Sequence, residues 1–153
     1  MTILYVDADA CPVKDEAIRV GERHNAPIKI VSNSWMRLPE GDLIERVVVP
    51  EGPDVADDWI AERAGKGDVV ITTDVPLASR CVNAGAQVIS PTGKPFREDA
   101  MGMRLAMRDL NTHLRETGQI RESGPGFTKK DRSRFLNELE IMMRTAKQQS
   151  QSG

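Results

Sequence analysis

Short apolar runs alternate with longer amphipathic stretches along the chain. TILYV (2–6), PIKIVS (27–32) and DVVITT (68–73) are mostly apolar and rich in β-branched residues, as buried strands of parallel sheets are. LIERVVV (43–49) and AQVIS (86–90) are predicted as two further short strands. The pattern therefore predicts a sheet in which most strands have little polar alternation.

The segments between these runs show the apolar spacing of helices. In the first of them, acidic residues follow Pro12, where the helix dipole favours negative charge. The predicted helices cover residues 12–24, 54–65, 75–85, 97–118 and 128–147. Strands that alternate with helices over short loops indicate an α/β fold with a mainly parallel sheet.

The composition is that of one soluble globular domain. The chain has 153 residues, of which 39% are hydrophobic and 29% charged. We expect a single domain over 1–147, ending in the helix at 128–147, and a flexible polar tail over 148–153. No apolar run approaches the roughly 18 residues that span a bilayer, and no secretory signal is evident, so we expect no membrane partner.

The two cysteines, Cys11 and Cys81, form neither a metal-binding motif nor a disulfide framework, so a cytoplasmic location is expected. We expect Cys11 to be a packed, inert thiol. His24 and His113 are expected to be solvated. The methionines are expected to fill the core or an interface, which leaves a homo-oligomer open.

Acidic residues follow two of the predicted strands. Asp7 and Asp9 come after the first strand, and Asp74 comes after the strand at 68–73. Because ligands of parallel sheets bind beyond the carboxyl ends of the strands, we expect these residues to converge there. Two carboxylates about 4 Å apart repel by about 4 kcal/mol at an effective dielectric near 20, so such a cluster protonates or binds a cation. Oxygen ligands favour Mg²⁺ or Mn²⁺.

Each acid also has a purely structural interpretation. Asp54 is a natural N-cap, Asp57 and Asp58 stand in a first helical turn that favours acids, and Asp74 precedes another helix. The helix at 54–65 is expected to bring its acidic end to the same edge only if it departs from ideal winding. Asp7 is the acid that is hardest to explain structurally, because it ends a buried strand.

Several blocks of this chain resemble the YaiI/YqxD family of uncharacterised bacterial proteins. They are YVDADACPV, PDVADDWIAE, ITTDVPLASR, PTGKPF, LAMRDLNTHLRETG and GPGFTKKDRSRFLNELE. The resemblance implies a PIN-like fold, a three-layer α/β sandwich with a twisted sheet and helices on both faces, which in other families houses metal-dependent ribonucleases. It implies a catalytic, metal-binding set of Asp7 (with Asp9), Asp57 and Asp74. The chain departs from the pattern of PIN nucleases in two ways. Its middle acid, Asp57, is an Asp where many of them have Glu, and no second acid follows closely after Asp74.

Basic residues supply candidates for substrate binding. Arg37 lies in a loop, Lys94 lies in SPTGKPF, and Arg104 and Arg108 share one predicted helix face. Residues 1–93 carry 9 Lys and Arg against 15 Asp and Glu, a net charge of −6, and residues 94–153 carry 12 against 8, a net charge of +4. Such asymmetry suits a polyanion-binding surface beside a cation site, although solvated helices produce it equally well.

Three functions remain open at this point. The leading hypothesis is a metal-dependent phosphodiesterase that cleaves single-stranded RNA, with a bound cation lowering the pKa of a water. A second is a non-catalytic PIN-like module that binds RNA or a protein. A third is a phosphatase of the haloacid-dehalogenase type, since VDADA resembles its opening motif, but that family's late acidic pair is missing.

Overall fold

The computed structural model describes residues 2–8, 11–52, 54–96 and 128–151. Six strands occur in these ranges: β1 Leu4–Asp7, β2 Ile28–Ser32, β3 Ile44–Val48, β4 Val69–Ile71, β5 Gln87–Ile89 and β6 Pro95–Phe96. Four helices accompany them: α1 Lys14–Arg23, α2 Val55–Ala61, α3 Val75–Asn83 and α4 Lys129–Gln151. The predicted helix at 97–118 lies outside the described residues.

The six strands form one sheet in the order β3-β2-β1-β4-β5-β6. The first five are parallel, and β6 runs antiparallel to β5. Tyr5 of β1 pairs with Lys29 on one side and Val70 on the other, so β1 and β4 are central neighbours. The winding direction reverses between these two strands, which is where α/β sheets bind ligands. The expected α/β fold with a mainly parallel sheet is confirmed.

Helices cover both faces of the sheet. Leu4 and Val6 of β1 point into a core cluster shared with α1 and α4, whereas Tyr5 between them points into a second cluster shared with α2 and α3. This alternation follows from the two-residue period of a strand. Gly21 of α1 allows the first layer to pack closely, because a Cβ there would lie 2.5 Å from the Ile28 side chain.

Two features differ from the sequence prediction. The last helix continues to Gln151, so residues 148–151 are helical where a flexible tail was expected. Gly67, with a φ of +91°, lies against this helical end, and a Cβ on Gly67 would be 3.0 Å from the Ser150 Cβ. Tertiary packing therefore supports a helix end that is too polar to be predicted locally. The other difference is β6, a two-residue strand for which no prediction was made.

The structure contains no candidate for a transmembrane helix within the described ranges, since none is both long and apolar enough to cross a bilayer.

Candidate functional site

A chain of hydrogen bonds joins the ends of β1 and β4. The Thr72 hydroxyl donates to Asp7 Oδ2 at 2.8 Å and accepts from the backbone N–H of Asp74 at 3.0 Å. Asp74 in turn caps α3, because its Oδ1 accepts from the Leu77 N–H at 2.8 Å. The two acids that follow separate predicted strands thus lie on one network at the point where the winding reverses. The capping role that was considered for Asp74 is also present.

The first turn of α2 brings Asp57 to the same edge. Burial, followed by the charges of Asp74, Asp7, Asp54 and Asp58 in that order, raises the pKa of Asp57 from 3.8 to about 6. The expectation that α2 must depart from ideal winding was wrong. Because α2 follows a parallel strand, its N-terminus starts at the carboxyl edge of the sheet as a consequence of the regular topology.

The two other acids near this turn have different surroundings. Asp54 occupies the N-cap position of α2 in a left-handed conformation, with a φ of 66°, and its side chain makes no capping hydrogen bond. Asp58 points to α3, where it accepts from Arg80 Nη1 at 2.6 Å, and both side chains are about half exposed. Asp58 is therefore occupied by an ion pair outside the Asp7–Thr72–Asp74 network.

The donor chemistry of this edge suits a hard cation, but the described residues do not form a complete cage. Within residues 2–8, 11–52, 54–96 and 128–151, no three His, Cys, Asp or Glu side chains form a group that could hold a metal. Asp9 lies outside these ranges. Mg²⁺ is usually held by one or two carboxylates, waters and substrate phosphates, so a carboxylate pair at the edge of a sheet remains compatible with it. The metal site stays a prediction.

Of the four basic residues predicted to bind substrate, the structure describes two, and these lie in different connections, β2–β3 and β5–β6. Arg37 lines an open cavity of about 460 Å³ beside β3. Lys94 is exposed in the turn between β5 and β6. Arg104 and Arg108 lie outside the described residues.

The turn that carries Lys94 uses its own backbone donors. The Ser90 N–H donates to the Lys94 carbonyl, the Gly93 N–H donates to the Ser90 carbonyl, and the Lys94 N–H donates to Ser90 Oγ. These three N–H groups close the β5–β6 hairpin, so they are not offered to a phosphate. The exposed side chain of Lys94 remains a candidate contact.

Two residues have contacts that the sequence pattern does not predict. Thr72 belongs to the predicted strand at 68–73, yet its buried hydroxyl connects Asp7 to Asp74. His24 is not solvated as expected: its side chain is only 10% exposed and its Nε2 lies 2.7 Å from Glu140 Oε2 of α4. Cys11 is a packed thiol, as expected, and burial raises its pKa to about 11.

Comparisons with known proteins agree on one family. The model of the uncharacterised YaiI/YqxD family matches residues 5–145. A UPF0178 protein of Parvibaculum lavamentivorans is 61% identical over 140 residues, covering 92% of each chain. A UPF0178 protein of Rhodopseudomonas palustris is 57% identical over 143 residues, which are 94% of this chain and 87% of the relative. A UPF0178 protein of Bradyrhizobium diazoefficiens is 54% identical over 143 residues, which are 94% of this chain and 86% of the relative. No solved structure matches the chain. The chain therefore belongs to the YaiI/YqxD family.

Proposed function

We propose that this protein is a metal-dependent phosphodiesterase of PIN-like type that cleaves single-stranded RNA at the carboxyl edge of β1 and β4. The observation that supports it is the network of Asp7, Thr72 and Asp74 across the point where the winding reverses. Chains of this topology bind their ligands at that point. Thr72 connects the two acids although they belong to different strand–helix units.

Asp7, Asp9, Asp57 and Asp74 are the residues that would hold Mg²⁺ or Mn²⁺, with substrate phosphate completing the coordination. The bound cation would supply charge neutralisation on the phosphodiester and a water of lowered pKa. Thr72 orients the carboxylate of Asp7 by its hydrogen bond.

The carboxylate of this set that is left uncoordinated by the cation would accept the proton of the attacking water. In the cation-free protein, burial and the neighbouring acids raise the pKa of Asp57 to about 6, so its carboxylate is there a stronger base than that of an ordinary aspartate. A base whose pKa lies near the working pH is the most effective one.

The test combines Mn²⁺ binding with RNA cleavage. Titration calorimetry of the wild type and of Asp7→Asn measures the binding of Mn²⁺ alone, and a labelled single-stranded RNA reports cleavage with Mg²⁺ or Mn²⁺ and with EDTA. We expect Asp7→Asn and Asp57→Asn to lower the cleavage rate by about 100-fold or more. Asp74→Asn is the most informative variant, since asparagine caps a helix as well as aspartate does and the fold is retained.

Asp58→Asn is the matched control, because Asp58 lies beside Asp57 in the same turn but pairs with Arg80. We expect it to cleave RNA like the wild type. A wild type that neither binds Mn²⁺ at millimolar concentration nor cleaves RNA would reject the nuclease. Binding of RNA without cleavage would favour the non-catalytic module instead. Hydrolysis of phosphomonoesters through an aspartyl phosphate would favour the phosphatase.

A further inference from the structure

Trp35 is strongly exposed for so large an apolar side chain. Its exposed fraction is 66%, the highest among the large hydrophobic residues that the structure describes as exposed, which are Trp35, Val48 and Ile141. Tryptophan is highly buried on average, and burying its ring is strongly favourable. Leaving this ring in solvent therefore forgoes stability, which suggests that it is available for a ligand.

One face of the Trp35 ring is backed by a fixed cation. The guanidinium carbon of Arg46 lies 4.6 Å from the ring centroid. The same guanidinium is anchored by a hydrogen bond from its Nε to the Met36 carbonyl at 2.9 Å. A guanidinium held by two partners restrains the ring that it covers, and the high exposure of Trp35 leaves the other face accessible.

A second cation lies beside the ring. Arg37 is exposed, lines the same 460 Å³ cavity as Trp35 and Arg46, and forms no ion pair with the part of the chain that the structure describes. Leu38 and Ile44 give the cavity an apolar wall, and Glu40 also lines it, so the charged lining residues sum to a net charge of +1. An aromatic face beside arginines is the arrangement that binds an unpaired base together with its phosphate.

The position of Trp35 relates this surface to the acidic edge. Val31 of β2 pairs with Asp7 in the sheet, and Trp35 follows it by four residues. Four residues of extended chain reach at most about 14 Å, and neighbouring strands are about 5 Å apart. The Cα atoms of Asp7 and Trp35 are thus at most about 19 Å apart. This distance corresponds to about six stacked nucleotides at 3.4 Å each.

We propose that Trp35, Arg37 and Arg46 form a stacking platform on which one unpaired base of single-stranded RNA lies, a few nucleotides from the bond to be cleaved. The proposal rests on the proposed function for the identity of the ligand as RNA. The platform binds the strand by one face of the Trp35 indole, Arg46 holds the opposite face, and Arg37 contacts a neighbouring phosphate.

The test measures RNA binding in EDTA, so that it does not depend on cleavage. A single-stranded RNA of about 12 nucleotides is titrated by fluorescence anisotropy, beside a DNA strand of the same sequence and an RNA duplex. Loss of one base–aromatic stack corresponds to a Kd about 5- to 140-fold higher, and we expect this for Trp35→Ala. Trp35→Phe keeps an aromatic face and is expected to retain most of the affinity.

The salt dependence of binding tests Arg37 separately. Each phosphate contact of a single strand contributes about 0.7 to the slope of log K against log salt concentration. We expect Arg37→Gln to reduce the slope by that amount. Ile141→Ala is the matched control, since Ile141 is an exposed apolar residue, 53% exposed, on α4 beside β5 and β6. It should bind RNA like the wild type, with circular dichroism verifying the fold of every variant.

Several results would overturn the platform. They are a wild type that does not bind the RNA, equal affinities for Trp35→Ala and Ile141→Ala, or tighter binding of the DNA strand or of the duplex. If Trp35→Ala instead disrupts association with a second copy or a protein and leaves RNA affinity intact, the surface is a protein interface. Reduced RNA affinity of Trp35→Ala in a protein that never cleaves RNA would retain the platform and reject the nuclease. If the protein cleaves RNA and Trp35→Ala changes neither cleavage nor RNA affinity, the nuclease is retained and the platform is rejected.

Discussion

The hydroxyl of Thr72 donates a 2.8 Å hydrogen bond to the carboxylate of Asp7, across the boundary between the two halves of the sheet. The two residues are 65 positions apart in sequence. The same hydroxyl accepts from the Asp74 N–H, so one buried oxygen positions acids from two strand ends. This connection fixes the two strand ends relative to each other.

Removing the Thr72 hydroxyl is expected to destabilise the fold. Thr72→Val keeps the shape of the side chain but takes one donor from Asp7 and one acceptor from the Asp74 N–H. Buried polar groups that lose a partner cost about 1–3 kcal/mol in the free energy of unfolding. Urea denaturation measures the loss, and Thr72→Ser, which restores the hydroxyl, is the control. Equal stability of the two variants would show that the connection contributes nothing.

Ionised Asp57 is expected to destabilise the metal-free protein. Its pKa is raised from 3.8 to about 6, so between these values the folded state binds more protons than the unfolded state. Stability therefore falls as the pH rises through this interval, and the full cost is present above pH 6. Asp57→Asn removes the cost. We expect a gain of about 1–2 kcal/mol at pH 8, after allowance for solvent screening of a half-buried group.

Thermal and urea unfolding in EDTA at pH 8 and at pH 3.5 measure this effect. At the lower pH Asp57 is mostly protonated in both states, so the gain should nearly vanish. Asp58→Asn, which alters the neighbouring exposed ion pair with Arg80, should not reproduce the pH-dependent gain. A stabilisation of equal size at both pH values would contradict the electrostatic explanation.

Gly67→Ala is expected to destabilise the contact between the end of α4 and the turn before β4. Gly67 has a φ of +91°, and an added Cβ would lie 3.0 Å from the Ser150 Cβ and 3.1 Å from its Cα. Backbone strain alone costs about 1–2 kcal/mol, so a total of about 1–3 kcal/mol in unfolding free energy is expected. Gly65→Ala is the control, since the nearest atom to its Cβ would be 3.7 Å away. Similar losses in both variants would argue against the close approach of Ser150.

Glu140 is expected to contribute to stability at neutral pH and to lose that contribution in acid. Burial alone would raise its pKa, but the hydrogen bond from His24, together with Arg144 and Arg23, outweighs burial and lowers the pKa. A carboxylate with a lowered pKa stabilises the fold above its ordinary value of 4.5, and the benefit disappears as the pH falls through the folded pKa. Glu140→Gln should flatten this acid dependence.

The expected difference for Glu140→Gln is about 0.5–1 kcal/mol at pH 7, since the pairs are partly exposed. Urea unfolding between pH 3 and 7 measures it. Glu138→Gln, two residues earlier on α4, alters a carboxylate that forms no ion pair with the described residues and serves as the control. If the unfolding free energy of Glu140→Gln falls between pH 7 and pH 3 as much as that of the wild type, these pairs do not stabilise the contact between α1 and α4.

The sequence alone determined the alternation of strands and helices, because buried parallel strands and amphipathic helices each leave a local apolar pattern. It also placed Asp7 and Asp74 at strand ends, since a polar residue that stops an apolar run marks an element boundary. The end of α4 was not predictable in this way, because its last residues are polar and leave no apolar pattern. These residues are helical in the folded protein, where Ser150 packs against Gly67.

The tertiary structure decided which strand ends are neighbours. Pairing of β1 with β4 joins segments that are 65 residues apart, and no local pattern encodes that pairing. The hydroxyl bridge of Thr72, the raised pKa of Asp57 and the cation behind Trp35 all depend on it or on similar long-range contacts. Electrostatic energies and hydrogen bonds act over a few ångströms in space, so they become visible only when the chain is folded.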